Sequence, residues 1–393
     1  MRTASITITG AQVWNGDGFD ARDVHIVDGR VAETGDPDAR QLDGTGRWLV
    51  PGLIDAHFHA YATSMDGLEN ERGPLSYAAI NGATRLAKAL QRGFTTVRDV
   101  AGGDIGLARA IDADLFPSPR YHFTGPALSQ TGGHGDPRSA HVDVCFSHGH
   151  MCEVVDGVDN LRLAVRNRLR TGAHAIKVMA SGGVFSLTDP IRVPQYSADE
   201  LRAVVDEATR RGSYVCAHAY SSEAVQHAVA AGVRSIEHGN LIDAETARLM
   251  AEAGAFLVPT LAAYDAMDRR GGEIGLNETS LAKNSEVLSK GQDAVRLAHE
   301  AGVRVGFGTD LMGDLEDDQL AGIRLQVEAS GAAATLRSMT AVNAELIGDE
   351  SLGHLSAGAY GDAVLLASDP LAEPAALWQQ DARVAVVRAG IVI

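Results

Sequence analysis

The sequence predicts an α/β protein, a (β/α)8 TIM barrel with a small β-sandwich domain built from both chain termini. Three features carry this expectation. Both ends of the chain alternate short β-type runs with tight turns; the middle alternates apolar strands with amphipathic helices about eight times; and four of those helices run directly into a glycine.

At the N-terminus the runs are Ser5 to Ile8, Ala11 to Trp14 and Val24 to Val27, followed by the turn Asp28-Gly29-Arg30 before Val31. The tail repeats this grammar with Ala363 to Leu366, Val384 to Val387 and Ala389-Gly390 before Ile391. Lone hairpins are rarely stable in water, so the two ends are expected to form one domain from residues 1–50 and 355–393. Residues 51–354 then make the barrel. Its eight candidate strands are Leu53 to Phe58, Thr95 to Val100, Tyr121 to Thr124, Ala175 to Met179, Tyr214 to Ala217, Ser235 to Glu237, Phe256 to Pro259 and Arg304 to Gly308. Helices fill the gaps, and Leu201 to Arg211, Ser222 to Ala231, Ala244 to Ala253 and Gln292 to Ala301 each precede a glycine, as helix C-termini often do. An open doubly wound sheet is the competing fold, but no Gly-x-Gly-x-x-Gly follows the first strand. Gly271 to Gly275 reads as a loop.

With 34 basic and 51 acidic residues in 393, the formal charge of −17 argues against nucleic acid and anionic lipid as partners. No apolar run reaches the roughly 18 residues that span a bilayer, and the first residues lack a secretion signal, so a soluble, cytoplasmic protein is expected. Self-association into a homo-oligomer stays open. Three cysteines, Cys145, Cys152 and Cys216, are too few for a disulfide scaffold.

The histidines and acids fall at strand ends. His57 and His59, two residues apart at the end of the first strand, point to one side. Lys177 lies within the fourth strand, His218 ends the fifth, His238 ends the sixth, and Asp310 follows the eighth. All six are expected at the C-terminal mouth of the barrel, where such folds place their active sites. Imidazole and carboxylate together suit a divalent transition metal such as zinc. The plainer reading of any one histidine is a hydrogen-bonded core residue, and of Lys177 a salt-bridge partner at the barrel rim; joint placement favours ligands.

The stretch Pro51 to His59, followed by Lys177, His218, His238 and Asp310, resembles the amidohydrolase superfamily. Gly93 to Asp99, Thr131-Gly132-Gly133-His134-Gly135 and Ser181-Gly182-Gly183 are similar to its branch of prolidase-like and imidazolonepropionase-related metal-dependent hydrolases. The resemblance implies two divalent metal ions, with zinc the expected element. His57 and His59 would hold one, His218 and His238 the other, and a carboxylated Lys177 would bridge them. It implies that Asp310 ligates the first ion, holds a bridging hydroxide and shuttles the proton to the leaving nitrogen. A mononuclear site is the alternative.

The resemblance further implies cleavage of a small-molecule amide substrate, an N-acyl amino acid or dipeptide. Alternatives are cyclic amides, or aryl amides, carbamates and ureas, and remotely a catalytically silent scaffold. His134 and Tyr220 are expected to grip the substrate carbonyl or carboxylate, Val184 and Phe185 to form an apolar wall, and Arg138 and Arg192 either to neutralise a carboxylate or to form surface salt bridges. The cluster Cys145 to Cys152 reads as loop and lid packing, with an accessory metal site or a redox role as rivals; Cys216 reads as core filling.

Overall fold

The computed structural model describes residues 2–139, 141, 149–186 and 189–393. The N-terminal strands are β1 (Ile6–Trp14), β2 (Phe19–Val27), β3 (Arg30–Ala32), β4 (Arg40–Asp43) and β5 (Trp48–Pro51). The two runs expected before Trp14 are one strand, because the irregularity between Ile8 and Ala11, with Gly10 at φ 68°, interrupts the pattern without ending the pairing. Asp28 and Gly29 take φ of 48° and 79° in the turn that returns β2 onto β3, the left-handed pair that a two-residue hairpin needs.

The parallel strands follow: β6 (Leu53–Phe58), β7 (Phe94–Asp99), β8 (Arg120–Phe123), β9 (Ala127–Ser129), β10 (Cys152–Val154), β11 (Ala175–Met179), β12 (Tyr214–Ser221), β13 (Ser235–Leu241), β14 (Phe256–Val258) and β15 (Arg304–Val305). The chain closes with β16 (Ala363–Leu366), β17 (Arg383–Arg388) and β18 (Ile391–Val392). These last strands join the N-terminal ones in a single sheet, in the order β18-β17-β16-β5-β1-β2-β3 with β4 on β1. Side-chain alternation explains how that sheet holds to the rest. Ala363 and Leu365 pack with Ile6, Ile8, Ile26 and Leu49, whereas Val364 and Leu366 pack with Leu53, Phe94 and Leu377 of the central body.

The helices are α1 (Gly67–Arg72), α2 (Leu75–Gln91), α3 (Ile105–Asp112), α4 (Val158–Arg170), α5 (Ala198–Thr209), α6 (Ser222–Ala230), α7 (Ala244–Glu252), α8 (Leu261–Arg270), α9 (Glu278–Glu300), α10 (Gln319–Ser330), α11 (Ala332–Arg337) and α12 (Asn343–Ile347). Gly212, Gly232, Gly254 and Gly302 follow α5, α6, α7 and α9 at φ of 70°, 94°, 66° and 82° respectively, the left-handed conformation that ends a helix. Ser197 and Glu200 form a reciprocal capping box at the start of α5. β6, β7 and β8 form one parallel sheet, and β10-β9-β11-β12-β13-β14-β15 a second. Backbone bonds link the two sheets: Ala56 N–H of β6 donates to Phe307 O, just after β15, at 2.9 Å, and His174 N–H, just before β11, to Phe123 O of β8 at 3.1 Å. Among the described residues, no helix is long and apolar enough to cross a membrane.

Candidate active site

Strand ends place the functional side chains. The burial pattern of β6 is continuous, and its Asp55 turns inward to accept from Thr309 Oγ1 at 2.6 Å and Gln319 Nε2 at 2.9 Å. This ties the segment bearing Asp310 to the strand bearing His57. The Asp310 N–H also donates to His57 O at 2.8 Å. His238, Thr260 and Asp310 have φ of 78°, 48° and 56°. Left-handed backbone at non-glycine residues is costly, and here it falls on two residues of one polar cluster, His238 and Asp310, and on Thr260, which bonds His238.

Asp310 is the centre of that cluster. Its Oδ1 lies 2.9 Å from His59 Nε2 and 3.3 Å from His57 Nε2, and its Oδ2 lies 3.8 Å from His238 Nδ1. Ligand atoms of His57, His238 and Asp310 all fall within 4.8 Å of one another. Burial alone would raise the Asp310 carboxyl, but His57, His59 and His238 hold it well below the usual carboxylate range. Burial pushes His59 down and pushes His218 and His238 well below the usual imidazole range, so these rings stay neutral and able to ligate. Among the described residues, Nδ1 of His59 is buried without a hydrogen-bond partner. His218 places Nε2 3.2 Å from Gly182 O, which leaves Nδ1 as its uncommitted nitrogen. Lys177 is 2% exposed, and its charge opposes protonation of His59, His218 and His238.

A cavity of about 500 Å3 opens over this cluster, lined by all six of these residues together with His134, Tyr220, Tyr264 and Phe185. Tyr220 stacks on the His238 ring with centroids 4.8 Å apart, and its hydroxyl lies 2.9 Å from that of Tyr264. Val184 is buried behind the cavity, packed with Tyr220 and Tyr264, so only Phe185 of that pair borders it. Arg138 lines the cavity and binds Asp136 through two nitrogens, each at 2.7 Å; Arg192 pairs with Glu286 at the surface. Cys145 to His148 lie outside the described residues. Cys152 borders the cavity with its thiol pushed up by burial, and Cys216 is buried with its thiol pushed up to about 11.

Several residues of the site escape the sequence reading. Glu237 accepts from His57 Nδ1 at 2.7 Å and from Arg98 at 2.7 Å, with both members of that ion pair fully buried. The arrangement fixes the His57 ring so that Nε2 faces Asp310. His238 Nδ1 lies 2.8 Å from Thr260 Oγ1 and 2.7 Å from the Tyr264 hydroxyl. A signal existed: Arg98 and Glu237 are charged residues inside strands that read as buried, and such residues are almost always paired.

The sequence pattern of the amidohydrolase family matches residues 48–393. The chain belongs to the amidohydrolase family. This amidohydrolase is 36% identical over 283 residues to the ochratoxinase of Aspergillus niger, covering 67% of this chain and 58% of that one. It therefore spans less than two thirds of the length of that curated relative. Its fold superposes on a prolidase crystallised with N-methylphosphonate-L-proline at a TM-score of 0.95, with 40% identity and 99% of each chain covered. A Xaa-Pro dipeptidase with methionine bound in its active site superposes at 0.88, with 27% identity, 99% of this chain and 100% of that one.

Proposed function

We propose that this amidohydrolase is a metal-dependent hydrolase of amide C–N bonds in small N-acyl amino acids or dipeptides. One observation carries the reading: the neutral imidazoles of His59, His218 and His238, with His57, converge with an ionised Asp310 at a cavity over the parallel strands. The bonds between the two parallel sheets support a closed (β/α)8 barrel, with residues 1–50 and 355–393 as a small β domain built on the sheet that both termini share.

The donor set fits divalent metal ions. His57, His59 and Asp310 would hold one, His218 and His238 a second, and Lys177, once carboxylated, would lie between them; two zinc ions are the expected complement. Such ions polarise a carbonyl and bring the pKa of a bound water to about 7. The residues of the chain do the rest. Glu237 orients His57, Asp310 accepts a proton from the attacking water and hands it to the leaving nitrogen, and His134 and Tyr220 orient the substrate. Phe185 offers an apolar surface to its hydrophobic part.

A second reading has its own support. Arg138 and Arg192 are bonded to acids, which favours a neutral aryl amide or carbamate over a carboxylate-bearing substrate. A hydrolysis screen over Xaa-Pro dipeptides, N-acyl amino acids, their carboxamides and aryl amides separates the two. The first reading expects the free acids to be turned over far faster than their carboxamides, because buried donors reject an analogue that leaves them unpaired. Equal turnover moves the assignment to neutral amides, and no cleavage of any member removes it.

A further inference from the structure

Lys283, on α9, donates to three backbone carbonyls: Gly183 O at 3.0 Å, Ser186 O at 2.7 Å and Asp189 O at 3.0 Å. An ammonium has three donors, so these bonds complete its set. The residues it gathers surround one ring. His134 Nδ1 lies 3.3 Å from Ser186 Oγ and 3.7 Å from Asp189 Oδ2. Gln195 ties the same group together, accepting from the His134 N–H at 3.0 Å and donating to Asp189 Oδ2 at 3.1 Å. The ring itself is equally confined. A Cβ at Gly183 would come within 2.1 Å of His134 Cε1, so the ring occupies the space a side chain there would need. His134 also stacks on His218 with centroids 4.2 Å apart and planes 21° apart. Among the described residues Nε2 has no hydrogen-bond partner, and the ring borders the cavity.

We propose that Lys283 and Asp189 are positioning residues that lock the His134 imidazole against Gly183 and His218, so that Nε2 meets a carbonyl or carboxylate oxygen of the substrate. Lys283 acts from outside the cavity by fixing the backbone at Gly183, Ser186 and Asp189; Asp189 acts on Nδ1. The geometric claim stands on these contacts alone, and only its kinetic consequence rests on the amide-hydrolase reading.

The test pairs crystal structures of Lys283→Met and Asp189→Asn with kinetics of Lys283→Met in the parent and His134→Ala backgrounds. Methionine keeps the length of the side chain and removes all three donors, while asparagine keeps the shape of Asp189 and removes its charge. The imidazole is expected to leave its slot in Lys283→Met and to shift in Asp189→Asn. A displacement of about 1 Å should lower kcat/KM roughly 10- to 100-fold in the parent, carried mainly by kcat. In the His134→Ala background the same substitution should add less than about threefold, because its effect passes through the missing ring. An unmoved imidazole in both crystals overturns the proposal whatever the protein cleaves, as does an equal loss in both backgrounds. If the parent cleaves no amide, the functional reading fails and the crystals decide the positioning claim. Should Lys283→Met not fold, Asp189→Asn carries both arms.

Discussion

Glu237 joins a histidine of the candidate site to an arginine of the core, and its ionisation depends on both. Burial would raise its carboxyl, but Arg98 and His57 hold it well below the usual range. Glu237→Gln removes the charge that offsets the buried Arg98 guanidinium. Breaking one partner of such a pair typically costs about 3–5 kcal/mol, so a marked fall in stability is expected in denaturant unfolding, with weaker metal retention on dialysis. An unchanged unfolding midpoint would show that Arg98 finds another partner. For Asp310→Asn, the ring contacts can persist while the proton acceptor is lost, so kcat should fall about 10²- to 10⁴-fold with the fold intact. Activity within about threefold of the parent would assign the proton transfer elsewhere. At this scale the sequence singles out His57, His59, Lys177, His218, His238 and Asp310 as polar residues on or just after apolar strands, and the structure brings all six to one cavity. Glu237 and Arg98 were not legible, because which buried charges face each other depends on strand register.

The elements were legible where apolar pattern and glycine punctuation agree, as in β6, β11 and α6. They blurred where function interrupts the pattern. β12 continues through His218 and Tyr220 to Ser221, four residues past its expected end at Ala217. Polar site residues at its end break the apolar run that marks a strand. Helix α9 begins at Glu278, well before the expected Gln292, because its first half is polar yet capped by Asn277. The seam between β15 and β6 gives an element-scale prediction. A Cβ on Gly308 would lie 2.5 Å from His57 Cβ and 2.8 Å from His57 N, too close for backbone to yield cheaply. Gly308→Ala should therefore destabilise the protein by about 1–3 kcal/mol, the usual range for overpacking. Thermal unfolding checks this, and an unchanged midpoint would mean that the seam is looser than the contacts indicate.

For the whole molecule, both β-rich ends announced themselves by matching hairpin grammar, and their joint sheet follows from the antiparallel pairing of β16 with β5. The short β9 and β10 were hidden, since three residues carry too little pattern to be read. One buried acid makes a separable contribution to the pH dependence of folding. Burial raises the carboxyl of Asp99 to about 7, despite hydrogen bonds from Tyr121, Ala60 and Ala101 that favour its charged form. Because the folded state holds this proton more tightly than the unfolded chain, the contribution is full below about pH 4 and lost as pH rises to about 7. The stability of the parent relative to Asp99→Asn should therefore fall with rising pH across that window. A constant difference in urea unfolding would contradict it. The central claim is metal-dependent cleavage of amide bonds, and one titration tests it most directly. Chelated protein is reloaded with zinc while bound metal per chain and amine release from an Xaa-Pro dipeptide and an N-acyl amino acid are measured together. The account predicts no release from the chelated form and recovery that saturates near two ions per chain; full release from metal-free protein, or none with both ions bound, would contradict it.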